Sequence, residues 1–509
     1  MLGSVITENP VNSGSLVLLF LAGVSVATKQ NLITDLVRIW GSFCRSIGTF
    51  ISTVEHLLRG ADAIDRAYRK SNGNLFQMPT PGRTHHMVTS PEHLEDLNKA
   101  PLDVLSLHAV AKDFLRPKDT MHGFEWKDVR GVEGTGFVRA LRTILTGQLP
   151  ELLPSLAQVV DKQVSAEIGS HRVDADGSIV PLYDMCKRLV TKVNCTVFFG
   201  PKMAENAEFF EAAYKFPHDS AYAAEFIRLL PQGIGSFVAR CFTGNFKSSA
   251  TLHRLLSAEV RKRLDARDGG RFEGEQQNDG LQWLIDTAPK KENWGVDRLV
   301  GEVMGVWYGS VHTLSIAVTF ALLDLYSRPE YVAPLRSEVL GTSLAAFTDA
   351  KNLPFLDSFL SESARLSAFE STGVRRQALR TFTFRDGHSI SRGDWICVPH
   401  RSMMRDNDYF ADALTFDGAR FMRDTGRSGR ETYMADASSK WMIWGVGRIL
   451  CPGRFYATLV LKLVLARFLV DYDCEVVSFR GSRSMQWRST IVPKQNIKLR
   501  ARKADSDSL

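Results

Sequence analysis

Nothing in this 509-residue chain is arranged like a metal cage or a disulfide framework. Its seven cysteines (Cys44, Cys186, Cys195, Cys241, Cys397, Cys451 and Cys474) are odd in number, scattered, and nowhere spaced as CxxC. That excludes a small secreted disulfide scaffold and fits a reducing, intracellular setting for the main body. HExxH, the phosphate-loop GxxxxGKS/T and the GxSxG nucleophile elbow are absent too, which removes three common routes to hydrolysis and phosphoryl transfer. No self-similarity recurs at a period of about 20–50 residues, so solenoids and propellers are excluded. The 63 basic residues exceed the 56 acidic ones by a net charge of +7, and the pI is near 9.0. No Lys/Arg run is dense enough for a nucleic-acid binder, and the mild excess favours acidic partners or anionic membrane surfaces. What is present is ordinary globular material: 44% apolar and 23% charged residues, enough to bury a large core. Length allows roughly two to four domains, or one large one.

Near the start, Ser15 to Ala27 reads SLVLLFLAGVSVA, shorter than the roughly 20 residues of a standard membrane span. A cleaved signal peptide, a short anchor and a buried helix compete for it. Residues 1–14 hold no Lys or Arg, whereas Lys29, Arg38 and Arg45 follow the run. A signal peptide needs its charge first. The anchor is therefore favoured, with the N-terminus lumenal and the rest cytosolic by the positive-inside rule. Leu32 to Leu58 is amphipathic and fits either a membrane-surface helix or an ordinary surface helix.

Between Ser90 and Pro329, apolar residues recur at helical spacing. The pattern predicts helices at Pro91–Lys99, Gly136–Ile168, Pro181–Phe199, Ala204–Ala212, Ser248–Ala266 and Val296–Tyr326. Asp174–Gly177 and Asp268–Gly280 read as exposed loops. Strand-like material gathers in Thr381–Val398, where FRDGHS carries an Asp-Gly hairpin signal, and from Cys474 onward. The expected architecture is a mainly α body with a minor β part and no internal linker.

The most informative stretch is Trp441–Ala457, WMIWGVGRILCPGRFYA. Gly445 and Gly447 permit a tight turn and close approach to something flat. Cys451, Pro452 and Gly453 follow, then a helix from about Arg454 to Val470. Unpaired N–H groups and the positive end of the dipole at a helix start favour thiolate over thiol. A thiolate on a glycine-rich loop suits axial ligation of haem iron. GVGRIL lacks the third glycine and the strand–turn–helix context of a dinucleotide fingerprint.

This stretch resembles the haem-binding loop of the cytochrome P450 superfamily, Phe-x-x-Gly-x-x-x-Cys-x-Gly. Trp444, Gly447, Cys451 and Gly453 fall on it in register, with Trp444 where Phe is usual. The resemblance implies the P450 fold, haem b ligated by Cys451, O₂ as co-substrate, and electrons from NADPH through a cytochrome reductase. It also implies roles for other residues. Glu362 and Arg365, three apart on one helix face, match the family's Glu-x-x-Arg, and Arg420 in FDGARF matches the third member of that buried network, read as structural. GSVHTLS, Gly309 to Ser315, resembles the distal segment of the family, with Thr313 on the alcohol position and His312 where Asp or Glu is usual. An imidazole can still shuttle protons, its ordinary pKa being about 6.5. For the haem carboxylates the resemblance offers Arg376 in GVRRQAL, Arg142 in GFVRALRTILT, and Arg448 beside Ile449, which occupies the usual cationic position. Each of the three fits equally a solvated surface charge.

In order along the chain, the resemblance implies an anchor with its lumenal N-terminus (residues 1–28), an amphipathic or linker region (29–75), a haem-thiolate catalytic domain (76–501) and a tail (502–509). The finer texture resembles microsomal enzymes of fungal specialised metabolism, which implies the endoplasmic reticulum membrane. The leading expectation is a monooxygenase acting on a hydrophobic small molecule. Its substrate would be lined by Met121–Gly136, Phe209–Phe246, Phe369–Val374 and Met485–Ile491. A haem-thiolate isomerase or dehydratase, or an oxidative rearrangement such as ring expansion, is the alternative. Isomerases of that kind need no proton relay, so Thr313 weighs against them. A membrane-anchored haem or lipid carrier would need neither relay nor reductase.

Overall fold

A computed structural model describes residues 53–504, apart from 81–82, 125, 129–135, 172, 175, 232, 270–276, 289–293, 424–431 and 478. The expected anchor, most of the amphipathic stretch and the end of the tail lie outside the described residues.

The long helix Val296–Tyr326 organises the body. It is apolar on nearly every side because nearly every side is covered. Leu182–Glu205, Lys247–Asp268, Ala207–Leu229, Pro354–Leu366 and Arg454–Asp471 all pack against it. It is the one helix among the described residues long and apolar enough to cross a membrane, but most of its apolar stretch is buried, which makes it a core helix. Arg454–Asp471 shows the same all-round burial, from Tyr456 to Leu469.

Sheet structure is peripheral. Five strands are ordered Phe76–Thr80, Arg83–Met87, Trp395–Val398, Gly373–Ala378 and Leu105–Ser106. Arg83–Met87 runs parallel to Trp395–Val398, and the other pairings are antiparallel. A second sheet joins Tyr472–Val477 to Lys498–Lys503, Gly177–Pro181 and Val173–Asp174. The FRDGHS turn forms as read: Phe382 pairs with Ile390, and Gly387 takes φ +88°, a left-handed conformation cheap only for glycine.

Two helices end elsewhere than the periodicity predicts, and a third is irregular inside. The expected Ala204–Ala212 helix runs Ala207–Leu229, continuing through a buried Pro217. Leu182–Glu205 extends past Phe199 across a kink at Gly200, φ +79°. Gly136–Gly169 contains a π-helical segment, Ala140–Leu145, in its first turns. At the N-terminal side, a helix over 53–71 is tied to the body. Its Ile64 is fully buried, the Tyr68 hydroxyl donates to Asp406 at 2.8 Å, and Asp65 pairs with Arg401.

Candidate active site

Gly445 (φ +81°) and Gly447 (φ +63°) turn the cysteine loop back on itself, so that the Cys451 amide donates to the Trp444 carbonyl at 2.8 Å. A Cβ at Gly447 would stand 2.5 Å from Asn98 Oδ1, so the backbone angle favours glycine there and any side chain would have to displace Asn98. Trp441 and Trp444 both donate indole N–H groups to the Met434 carbonyl, at 3.1 and 2.6 Å. Trp444 at the usual phenylalanine position thus gains a polar tether that phenylalanine lacks.

Cys451 lines a cavity of about 460 Å³. Pro452 and Gly453 share its wall, while Gly305, Gly309, Thr313 and Ala317 of the long helix line it as well. The lining is mostly apolar, with Phe137, Leu141, Phe320 and Leu461 among its members. The Thr313 hydroxyl donates to the Gly309 carbonyl at 2.7 Å, a back-bond that fixes its oxygen. A Cβ at Gly309 or Gly453 would meet nothing within 4 Å. Of the four segments expected to line the pocket, Met121–Gly136 contributes Trp126 and Phe369–Val374 contributes Phe369.

For the Cys451 thiol the helix-start contribution acts in the expected direction and burial opposes it. Burial pushes its pKa up, against the Gly453 amide and the Arg454 and Arg142 charges, which push it down. Among the protein's own groups, desolvation outweighs these partial charges. His312 is not among the cavity-lining residues. Its ring lies 6.3 Å from that of Tyr308. Burial, then Lys187 and His218, lower its pKa to about 4, with Glu370 opposing. The side chain is therefore neutral at physiological pH, and a standing imidazolium is not available.

Glu362, Arg365 and Arg420 meet as expected. Arg365 clasps both Glu362 oxygens at 2.7 Å and donates to the Met404 and Ala413 carbonyls at 2.6 Å. Arg420 Nε adds a contact to Glu362 Oε2 at 3.1 Å, and the Asp417 amide one to Oε1 at 2.9 Å. The carboxylate is thereby satisfied on every side, which is what lets it be fully buried.

Of the three candidate arginines, Arg142 contacts the cysteine loop, Arg448 belongs to it, and none is among the residues lining the cavity. Arg142 reaches the Arg448 and Leu450 carbonyls at 3.4 and 3.3 Å. Arg448 extends away to the Ala100 carbonyl at 2.6 Å, at the end of the helix Pro91–Lys99. Arg376 is 3% exposed and forms no ion pair among the described residues; it donates to the Arg375 carbonyl at 2.7 Å. Burial, with Arg448 adding like charge, lowers its pKa to about 10. A buried guanidinium without a carboxylate is costly, and it fits a partner that brings its own acid. The apolar slot, the glycine walls and the thiol together match a haem, and Arg376 stands outside the residues that line the slot.

Fold and site define a class: a mainly helical haem-thiolate enzyme. The chain belongs to the cytochrome P450 family, whose model matches residues 63–501. Membership implies haem held by a cysteine thiolate and makes the protein an oxidoreductase that incorporates oxygen from O₂. It is 26% identical over 430 residues to cytochrome P450 monooxygenase olcJ of Penicillium canescens, covering 82% of this chain and 78% of that protein. Cytochrome P450 monooxygenase AtmP of Aspergillus flavus is 25% identical over 503 residues, 96% of this chain and 93% of AtmP. Ent-kaurene oxidase of Gibberella intermedia is 26% identical over 465 residues, 89% and 86% of the two chains. Retinoic acid-bound cyanobacterial CYP120A1 shares the fold at a TM-score of 0.67 and 18% identity, over 89% of this chain and 96% of that one.

Proposed function

We propose that this protein is a haem-dependent monooxygenase that places one oxygen of O₂ into a hydrophobic small molecule, an intermediate of fungal-type secondary metabolism. Electrons come from NADPH through a reductase. The observation that carries the reading is the placing of Cys451 and Thr313 on the walls of one apolar cavity. The curated relatives, fungal monooxygenases and an ent-kaurene oxidase, support the substrate class.

Bound haem supplies the oxygen-activating chemistry, and the side chains supply the rest. Cys451 holds the iron. Arg376 takes a haem carboxylate, with Arg142 and Arg448 at the loop edge. Gly447 and Gly453 let the loop approach closely. Apolar walls exclude water and orient the substrate, since they offer few polar groups to compete for it. Thr313 Oγ1 stands at the cavity wall, where its hydroxyl passes protons inward. His312, one residue earlier and neutral, acts as a relay that gives up one ring proton as it takes another, without resting as imidazolium. Glu362, Arg365 and Arg420 keep the segment before the cysteine loop against the core. Residues 1–28 anchor the chain in the endoplasmic reticulum membrane with its catalytic body facing the cytosol, in keeping with the apolar run and the basic residues that follow it.

Reduced, carbon monoxide-treated protein should show the red-shifted Soret band of thiolate ligation, and Cys451→Ala should lose both the band and turnover. A variant that keeps them removes this function. Substrate turnover without stoichiometric NADPH and O₂ would assign an isomerase instead.

A further inference from the structure

Gly301, Gly305 and Gly309 recur every fourth residue on the long helix, which puts them on one face. A Cβ at Gly301 would lie 2.3 Å from Cγ of Phe124, and one at Gly305 would lie 2.3 Å from Cζ2 of Trp126. The first two notches are thus filled by aromatic rings, while at Gly309 the space is open. Phe124 and Trp126 stand edge to face, 6.5 Å between centroids at 89°. Arg298 backs the Phe124 ring at 5.6 Å and pairs with Glu302 at 2.7 Å. Trp126 is 8% exposed, and it lines the cavity together with Gly305, Gly309 and Thr313. Four residues of helix are about 6 Å, so the indole sits about one turn beyond Gly309, and Thr313 about one turn on the other side.

We propose that Trp126, seated in the Gly305 notch, is the specificity-determining residue that limits how far an apolar ligand can extend along the long helix from the reacting end of the cavity. This rests on the monooxygenase reading of the same cavity. Substrates are apolar molecules whose reach past Gly309 is about one helical turn; longer ones collide with the indole. Gly305 is the positioning residue, because any side chain there must push the ring out of its notch.

A series of 1-alkylimidazoles of increasing chain length tests this without knowledge of the substrate, since the imidazole ligates the iron and the alkyl chain probes the cavity. Binding is read from the Soret shift. Wild-type affinity should rise with length and then stop rising. Trp126→Ala should move that limit to longer chains and tighten the longest by about tenfold or more, the value of two further buried CH₂ groups at about 0.8 kcal/mol each. Trp126→Leu, which keeps more apolar bulk, should shift the limit the same way by less. Gly305→Ala should weaken long chains in the wild-type background and have no effect when Trp126 is already alanine. An unchanged limit in both Trp126 variants that retain the thiolate band, or a Gly305→Ala effect that persists without the indole, overturns the proposal. A wild type with no thiolate band overturns the monooxygenase reading beneath it.

Discussion

Arg365 and Glu362 meet guanidinium to carboxylate, two contacts of 2.7 Å, with neither side chain exposed to solvent. Replacing one partner leaves an uncompensated buried charge, a loss of about 3–5 kcal/mol. Glu362→Gln should therefore lower the thermal midpoint and the fraction of protein that retains haem. The effect should be largest in the segment carrying Met404, Ala413 and Arg420, which the network ties down. Hydrogen exchange of residues 404–420 is the direct measurement. Wild-type protection in the variant would show that the network does not hold this segment.

Arg376 has the opposite signature. Its guanidinium is buried without a carboxylate partner among the described residues, so Arg376→Met should leave the haem-free protein as stable as wild type or more so. Haem binding should weaken by about 10–100-fold, the worth of a charge-assisted hydrogen bond of roughly 1.5–3 kcal/mol. The rate of haem transfer to a scavenging protein measures one arm, and denaturant melting of the haem-free protein the other. Equal loss in both would assign Arg376 to the fold alone.

Much of this was legible in the sequence, and the reasons differ by element. Val296–Tyr326 was bounded correctly because an unbroken apolar period over 31 residues has no competing reading. The cysteine loop was legible because φ-positive glycines and a helix start are local features. The Glu362 network was read through resemblance, since an i,i+3 pair by itself says nothing about burial. Ala207–Leu229 was shortened because interior proline is normally a stop signal, and only tertiary packing around Pro217 overrides it. The helix-start contribution at Cys451 was legible, but the burial that opposes it was not, because desolvation is invisible in sequence. Trp126 escaped individual notice for the same kind of reason: its seat is a glycine on a helix far along the chain.

Buried neutral histidines set the acid limit. Burial, then Arg375 and Arg401, lower the His400 pKa to about 3, and burial with Arg488 and Arg375 lowers that of His56 to about 4. The unfolded chain takes up these protons near pH 6.5 while the folded one refuses them. Stability is thus full above about pH 6.5 and falls with pH down through the folded values, by roughly 3–5 kcal/mol per group as an upper bound. Melting temperatures across pH 4.5–7.5 should show this slope, and His400→Gln should flatten it. A variant with the wild-type slope would place the acid sensitivity elsewhere.

Thr313 separates oxygen insertion from rearrangement. Its hydroxyl lies at the cavity wall, back-bonded to Gly309, so its loss changes proton supply while altering little bulk. Thr313→Ala should keep the fold, the thiolate band and ligand binding close to wild type. General acid–base groups are typically worth about 10²–10⁴-fold, and water can take part of the role here, so the loss should sit at or below the lower figure. It should appear as less product for each NADPH consumed and more hydrogen peroxide released. His312→Ala should act in the same direction and more weakly, because the ring is neutral and set back from the cavity lining. The measurement is coupling efficiency with the native substrate for wild type and both variants. Unchanged coupling in Thr313→Ala would remove the hydroxyl from proton delivery, and unchanged coupling in His312→Ala alone would reduce that ring to a packing role beside Tyr308.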